Sequence, residues 1–135
     1  MAIEHRLMHA ETLAYALHWL PVELKRAQSE PDPLFDFYRW DPTPVGAYPA
    51  GRSAFGAFDL LGNGWEWTST RFAPFPGFEP NPGYPGYSAE FFDGRHHVLK
   101  GGSPRTDAAL LRRSFRNWFL PHYPYLYAGF RLAAP

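Results

Sequence analysis

The stretch from residue 96 to residue 132 constrains the fold of this chain more than any other part of it. Two short apolar segments, at 97–99 and 129–132, enclose a small-residue turn, a run of arginines and a run of aromatic residues. Arg116 and Arg131 stand among these neighbours, and a buried guanidinium needs acceptors for its five N–H donors. We therefore expect both arginines, if they lie inside, to be bonded to carboxylates or backbone carbonyls and to hold irregular loops in place.

The composition predicts few regular elements. Aromatic residues make up 19% of the 135 residues, and the chain holds 15 prolines and 12 glycines. Disordered chains are poor in aromatic residues, so we expect an ordered, loop-rich domain in which aromatic side chains do much of the packing. The absence of cysteine excludes a disulfide scaffold, a thiolate metal site and a cysteine nucleophile.

The charges are balanced, with 13 Lys and Arg against 13 Asp and Glu. This balance argues against a protein that binds nucleic acid or a membrane surface. No apolar run approaches the length of a membrane span, and the first residues do not form a signal-peptide pattern. We expect a soluble cytoplasmic protein.

One helix is predicted, over residues 2–20, and Pro21 follows where it should end. Apolar side chains recur near helical spacing and form its expected buried face: Ile3, Leu7, Ala10, Leu13, Leu17 and Leu20. The polar, proline-punctuated residues 21–34 are predicted to be a linker.

His5 and His9 lie four residues apart on this helix and therefore project from one face, with Cβ atoms about 6 Å apart. Two imidazoles at this spacing can hold one metal ion. Glu11 lies beside the same face. The alternative is a solvent-facing pair of histidines without a ligand, because short motifs often match by chance.

A second dense group of motifs lies at residues 58–70. The Gly-Asn-Gly sequence at 62–64 predicts a tight turn, since Asn and Gly tolerate positive φ. In the strand that follows, Trp65 and Trp67 share one face and Glu66 takes the other. We interpret Glu66 as the partner of an arginine in a structural ion pair, in preference to a catalytic acid, because buried charges are normally paired.

Residues 71–95 are predicted to form a long loop, and its many aromatic residues indicate that the loop is ordered. Tyr84 and Tyr87 lie in this loop. Three roles are open to them: to line a pocket, to donate a proton, or only to pack. Further strands are predicted at 98–99, 114–118 and 128–133, with a short helix or turn at 107–113.

Five segments resemble, in this order, the motifs of the formylglycine-generating-enzyme-like (sulfatase-modifying factor) domains: Gly62–Thr68, Tyr84–Ser88, Lys100–Ser103, Ser114–Trp118 and Gly129–Arg131. The chain is most similar to the ergothioneine-biosynthesis sulfoxide synthases of the EgtB type. In those enzymes a His-x-x-x-His-x-Glu segment lies on a helix of an N-terminal DinB-like bundle, and His5, His9 and Glu11 match it. The resemblance covers residues 2–20 and about 36–134.

The resemblance implies an α+β fold of the C-type-lectin-like, formylglycine-generating-enzyme-like class, loop-rich and with short antiparallel strands after one N-terminal helix. It divides the chain in two. Residues 1–30 would be the metal-motif helix and linker, a remnant of the DinB-like bundle. Residues 31–135 would be the sulfatase-modifying-factor-like domain.

The resemblance further implies a non-haem iron(II), O₂-dependent sulfoxide synthase. Such an enzyme joins a small-molecule thiol to the imidazole ring of a trimethylated histidine and oxidises the sulfur to the sulfoxide. In the family three neutral imidazoles bind Fe(II), leaving sites for thiolate and O₂. The roles that it assigns are iron ligation by His5 and His9, substrate binding by Asn117 and Trp118, and proton supply by a tyrosine, either Tyr84 or Tyr87.

The sequence also departs from the family pattern. The third iron histidine of the family comes from an earlier helix, and much of the lectin-like domain normally precedes the segment at 45–49. We therefore expect a truncated form with an internal deletion. Phe119 and Tyr123 stand where some members carry an acid and an arginine that grip the thiol, which leaves the thiol open. Formylglycine generation relies on cysteines and is not expected.

Several alternatives stay open. In one alternative, the third iron ligand comes from His122 or from one of His96 and His97. Only one of the last two could reach the site, because neighbours on a strand point to opposite faces. His18 is poorly placed around the helix from His9. A second copy of the chain would complete the iron site in a homo-oligomer. In a last alternative, the chain is a non-catalytic, C-type-lectin-like ligand-binding module. The fold is compatible with this alternative, because fold does not decide function.

Overall fold

A computed structural model of the chain describes residues 2–18 and 41–132. Within these residues it contains one α-helix, α1 (Ala2–His18), and four strands, β1 (Gly64–Arg71), β2 (His97–Gly102), β3 (Asn117–Phe119) and β4 (Ala128–Gly129). Single-turn 3₁₀ helices lie in the connections, at Pro49–Gly51, Pro85–Tyr87, Ala89–Phe91 and Ala108–Leu110. The expected α+β, loop-rich class is confirmed. The predicted linker at 21–34 and the domain boundary near residue 30 fall outside the described residues.

The strands form a small mixed sheet in the order β3-β2-β1-β4. β1 pairs antiparallel with β2, from Gly64 opposite Gly102 to Arg71 opposite His97. β2 pairs antiparallel with β3, whereas β4 runs parallel to β1. The expectation of antiparallel strands therefore holds for two of the three pairings, because the loop after β3 brings the chain back beside β1 in the direction of that strand.

Two predicted strands are shorter than expected. The strand predicted at 114–118 begins only at Asn117, because Phe115 N donates to Arg112 O at 3.1 Å and closes a turn there. The strand predicted at 128–133 is limited to Ala128–Gly129 among the described residues. Phe130 beyond it is 74% exposed, so this segment has left the sheet.

The core lies on one face of the sheet. Trp65 in β1 and Leu99 in β2 are buried there with Leu110 and Phe115, and Trp67 packs against the same cluster. The predicted alternation along β1 is therefore confirmed, with both tryptophans inward. Burying such aromatic side chains contributes most of the hydrophobic stabilisation that a small sheet can obtain.

The glycine pair at the end of β2 is required by close packing. Gly101 has φ of +94°, and a Cβ atom there would lie 3.2 Å from the carbonyl oxygens of Gly64 and Leu60. Gly102 has φ of +139°, and a Cβ atom there would collide with the side chain of Leu111. Both conformations are strained for any other residue, so the predicted small-residue turn has a steric cause.

The helix α1 docks by a different face from the predicted one. Leu7 packs against the core as expected, but Leu13 is 62% exposed. The buried positions are Glu11 and Tyr15, which continue from Leu7 at intervals of four residues. The prediction was wrong because it placed a carboxylate outside, whereas hydrogen bonds from the sheet allow Glu11 to lie inside. The side chains of Ile3, Leu17 and Leu20 are not among those described.

The long loop after β1 is ordered by aromatic packing, as predicted. Phe72 stacks on Trp118 of β3 with ring centroids 4.4 Å apart and an interplanar angle of 7°. Phe92 packs on Phe72 at 4.9 Å, and Phe78 meets Phe92 edge-on at 5.2 Å. The loop is therefore fixed to the strand that carries Trp118.

The two arginines expected inside lie nearer the surface. Arg131 is exposed and pairs with Glu66, which confirms the predicted partner but not the burial. Arg116 donates to Ala73 O at 3.0 Å and lies over the Phe75 ring at 3.8 Å from its centroid. In the described part of the chain, Arg105 is the arginine that is buried, with a side chain only 1% exposed. Among the described residues, no helix is long and apolar enough to cross a membrane.

Candidate functional site

His5 and His9 converge on one point beside α1. Their Nε2 atoms lie 2.9 Å apart, and their rings meet edge-on with centroids 4.3 Å apart. Two nitrogens bound to one ion at about 2.1 Å and at right angles would be about 3 Å apart. The pair therefore fits two adjacent positions of a single metal ion, and without metal the same distance suits an N–H···N hydrogen bond.

Tyr84 and Tyr87 lie against the same histidine. Their ring centroids are 5.3 and 5.4 Å from the His5 ring and 5.8 Å from each other. The 3₁₀ turn Pro85–Tyr87 presents both rings, because Tyr87 N donates to Tyr84 O at 3.2 Å and closes it. Four residues that are far apart in sequence, two on α1 and two on the loop, thus form one cluster.

The two tyrosines differ in environment. Tyr84 is 48% exposed, whereas Tyr87 is half-buried and its hydroxyl donates to Met8 Sδ at 3.6 Å. Burial, and secondarily the neighbouring Tyr84, raises the pKa of Tyr87 above the ordinary value of a phenol. A thioether is a weak acceptor, so this hydrogen bond engages the Tyr87 proton only weakly.

Asn117 and Trp118 point to opposite sides of β3, as neighbours on a strand do. Trp118 borders the cluster, with its ring centroid 6.2 Å from that of Tyr87. Asn117 is buried, its Oδ1 accepts from Trp118 N at 3.0 Å, and it lines a cavity of about 30 Å³ beneath α1. That cavity is too small for an amino acid, whereas Trp118 adjoins Tyr87, which packs against His5.

Within residues 2–18 and 41–132, no three His, Cys, Asp or Glu side chains come together as a metal site would require. The other candidate histidines have different partners. His96 Nδ1 lies 3.0 Å from Asp93, and His97 Nδ1 lies 3.3 Å from Thr68 O. His122 is exposed, and the side chain of His18 is not described. The described part of the chain therefore offers two imidazoles to a metal.

Phe119 and Tyr123, which the resemblance implies stand in place of a charged pair, stack on each other. Their ring centroids are 4.6 Å apart and their planes are 17° from parallel. Tyr125 packs edge-on against Tyr123 at 5.2 Å. This part of the surface therefore offers aromatic side chains, and not a pair of charged ones, for contacts with a ligand.

Sequence reasoning missed the network that joins α1 to the sheet. Glu11 Oε1 accepts from Trp65 Nε1 at 2.7 Å and from Ser103 Oγ at 3.1 Å. The hydroxyl of Tyr15 lies 2.7 Å from Ser103 Oγ and 3.1 Å from the same carboxylate oxygen. Burial raises the pKa of Glu11 above its ordinary range, against the lowering effect of these hydrogen bonds. The only signal was the interval of four between Leu7, Glu11 and Tyr15.

Sequence reasoning also missed Arg105. Its guanidinium carbon lies 4.9 Å from the centroid of the Tyr15 ring and 4.6 Å from that of Tyr127. Its Nη2 donates to the Tyr127 hydroxyl at 2.9 Å and to Asp41 Oδ1 at 3.3 Å. No local pattern around Arg105 marks it as buried, because its partners come from three distant segments.

Comparison with known proteins gives the family. Residues 25–135 match the family model of the sulfatase-modifying factor enzyme 1-like domain. The chain is 53% identical over 92 residues to "Hercynine oxygenase" of Mycobacterium tuberculosis, covering 68% of this chain and 21% of that protein. It is 50% identical over 96 residues to the protein of the same name in Mycolicibacterium smegmatis, covering 68% and 22%.

A fungal relative extends the same pattern. The chain is 41% identical over 97 residues to "Ergothioneine biosynthesis protein 1" of Neurospora crassa, covering 71% of this chain and 11% of that protein. The chain thus spans about a fifth of the length of the bacterial relatives that it matches, and α1 precedes the matched residues 25–135. Because the family model covers most of the chain, the chain belongs to the sulfatase-modifying factor enzyme 1-like family.

Proposed function

We propose that this chain acts in a cytoplasmic, non-haem iron(II), O₂-dependent sulfoxide synthase of the hercynine oxygenase type. The reaction would join a small-molecule thiol to the imidazole ring of a trimethylated histidine. The observation that carries the proposal is that His5, paired with His9, meets Tyr84 and Tyr87. The family match begins after α1, so the position of the histidine pair beside the loop tyrosines is support that the match alone does not supply.

His5 and His9 would hold Fe(II) through their Nε2 atoms. Neutral imidazole is a suitable ligand for iron, and the 2.9 Å between the two nitrogens suits a shared ion. When bound, the iron would supply the redox chemistry with O₂ that forms the carbon–sulfur bond and the sulfoxide. His5 would also be held in orientation by the edges of the two tyrosine rings.

Tyr87 is the better candidate for a proton donor. Its ring lies against that of His5, and its hydroxyl, protonated at neutral pH like any phenol, has a weak sulfur acceptor in Met8. Tyr84 is more exposed and would close the outer side of the site. The two tyrosines would therefore divide proton supply and the exclusion of water.

The aromatic rings around the histidines suit the substrate's quaternary ammonium group. A permanent cation without N–H donors is recognised by the faces of Trp and Tyr. Trp118 and Tyr87 lie at the histidine cluster and would form such a surface. Asn117 would contribute only if the substrate reaches the inner side of β3. The aromatic stack of Phe119 on Tyr123 gives no charged group by which to name the thiol.

One observation favours the alternative of a non-catalytic, lectin-like ligand-binding module. The described residues bring two imidazoles together but no third ligand from His, Cys, Asp or Glu. A homo-oligomer in which a second copy donates a histidine would remove this shortfall. The three hypotheses differ in the number of metal ions bound per chain and in whether a single chain or an oligomer binds the metal.

The test is anaerobic Fe(II) binding to the native chain, to His5→Ala/His9→Ala and to the matched control Arg6→Ala, an exposed residue of the same helix. We expect one ion per chain, lost in the double variant and retained in the control, followed by thiol- and O₂-dependent turnover of trimethylhistidine. Binding that appears only in a dimer would support the shared site. Fe(II) binding that is absent, or indifferent to the histidine pair, would contradict the proposal and leave the lectin-like module.

A further inference from the structure

Glu11 of α1 is buried, at 5% exposure, and its side chain bonds the helix to the sheet. One oxygen, Oε1, accepts from Trp65 in β1 and from Ser103 directly after β2. Tyr15, one helical turn further on, joins the same network through its hydroxyl. A single carboxylate oxygen therefore connects α1 to both central strands.

A carboxylate is an unfavourable group for this place, because burial at 5% exposure removes its hydration. An apolar side chain would fill the space without that cost. Unlike apolar contacts, the hydrogen bonds of the carboxylate are directional. Its acceptor oxygen must meet the indole N–H and the Ser103 hydroxyl at hydrogen-bond distance. Apolar packing tolerates small rotations and sliding of a helix, whereas a bonded network of this kind does not.

The histidine pair depends on that rotation. At about 100° per residue, His5 and His9 lie about 140° around the helix axis from Glu11, on the flank that faces the turn with Tyr84 and Tyr87. Side chains end about 6 Å from the axis, so a rotation of about 20° would move an imidazole nitrogen by about 2 Å. Such a shift would separate the imidazoles from the tyrosine rings.

We propose that Glu11 is the positioning residue of the histidine site: its bonds to Trp65 and Ser103 fix the rotation of α1 and hence the place where His5, paired with His9, meets the loop. The inference rests on the proposed function for the identity of the metal. The contact between the His5 and Tyr87 rings is independent of any metal, so it can be tested separately.

The experiment uses the full chain and four variants. Glu11→Leu keeps the volume but removes the acceptor, Glu11→Gln keeps a carbonyl acceptor, and Ser103→Ala removes one donor if Glu11→Leu does not fold. Leu7→Ala is the matched control, because it weakens the packing of the same helix face without touching the network. Thermal unfolding of each variant locates a temperature at which all are folded.

The first readout is the set of ring-to-ring nuclear Overhauser effects between His5 and Tyr84 or Tyr87 in the metal-free chain. We expect them in the native chain, in Glu11→Gln and in Leu7→Ala, and expect them to be lost in Glu11→Leu and weakened in Ser103→Ala. Their survival in folded Glu11→Leu, or their loss in Leu7→Ala to the same extent, would overturn the role proposed for Glu11.

The second readout is anaerobic cobalt(II) binding, followed by the visible absorption of the bound ion. Groups that orient metal ligands typically change affinity by about 10- to 100-fold. We expect about a tenfold loss and an altered spectrum in Glu11→Leu, rescued by Glu11→Gln and absent in Leu7→Ala. If the native chain binds no cobalt(II), the proposed metal site fails, and the ring contacts alone decide the role of Glu11.

Discussion

Arg131 and Glu66 form an ion pair across the parallel contact between β4 and β1, and Arg131 Nη2 also donates to Asp59 O at 3.0 Å. The pair ties the segment after β4 to the middle of the sheet. The two side chains keep 39% and 24% of their surfaces exposed, so water screens their attraction. The contact orients the chain more than it stabilises it.

Replacement of Arg131 should therefore be mild. We expect Arg131→Ala to lower the free energy of unfolding by about 1 kcal/mol, with the loss shrinking at high salt. Urea unfolding at low and high ionic strength measures both effects, and Arg95→Ala serves as an exposed control. A loss of several kcal/mol that salt does not change would mean that the pair is buried.

Replacement of Arg105 should cost more, although its carboxylate partner Asp41 is 70% exposed. The loss comes from packing, since Arg105→Ala removes the guanidinium that lies over the rings of Tyr15 and Tyr127. We expect a decrease of about 3 kcal/mol in the free energy of unfolding. Arg105→Lys should recover little of it, because an ammonium cannot stack as a planar guanidinium does. If Arg105→Lys recovered the full free energy of unfolding, the charge of Arg105 and not its packing would account for its effect.

Alkaline pH should act through Tyr15. Burial, and then the nearby Glu11 carboxylate, raises the pKa of Tyr15 well above the ordinary value of a phenol. The folded chain therefore binds this proton more tightly than the unfolded chain does, and the resulting stability is complete below about pH 10 and lost as the pH rises further.

We expect the native chain to lose more stability than Tyr15→Phe between about pH 9 and pH 11, as measured by urea unfolding. Tyrosinate absorbance of the folded chain should also show one fewer late-titrating tyrosine in the variant. Parallel pH profiles for the two proteins would contradict the burial of this hydroxyl.

Tyr87 should matter to catalysis more than Tyr84. If Tyr87 supplies the proton, Tyr87→Phe should lower kcat by about 100-fold or more with little change in KM for trimethylhistidine. Tyr84→Phe retains the ring that covers the histidines and should lose far less. Steady-state kinetics of the iron-loaded chain compares the two variants, and equal losses would indicate that neither hydroxyl is the specific donor.

Local pattern was sufficient for several elements of the fold. Alternation along β1 predicted that Trp65 and Trp67 face inward, and this is confirmed because a strand's side chains must alternate. The spacing of four predicted that His5 and His9 share a face, and their Nε2 atoms do converge. The motif order predicted the family, which the match over residues 25–135 confirms. The metal-binding and catalytic roles of these residues stay predictions.

Other features depended on partners that no local pattern contains. Apolar periodicity placed Leu13 in the buried face of α1, but the helix buries Glu11 and Tyr15 instead. Hydrophobic spacing assumes that carboxylates stay in water, and it fails where the rest of the fold supplies donors. The burial of an arginine likewise depends on partners that are distant in sequence. For this reason Arg116 and Arg131 were expected inside and Arg105 was overlooked.

The sequence by itself determined the local geometry: a helix with two histidines on one flank, strands of alternating side chains, and a loop rich in aromatic residues. Only the tertiary structure decided which face of α1 is buried and which loop residues meet the histidines. The reason is physical, since Glu11 is stabilised inside by donors 54 and 92 residues away in the chain. Such donors act only after the strands have paired and brought Trp65 and Ser103 to one side of the sheet.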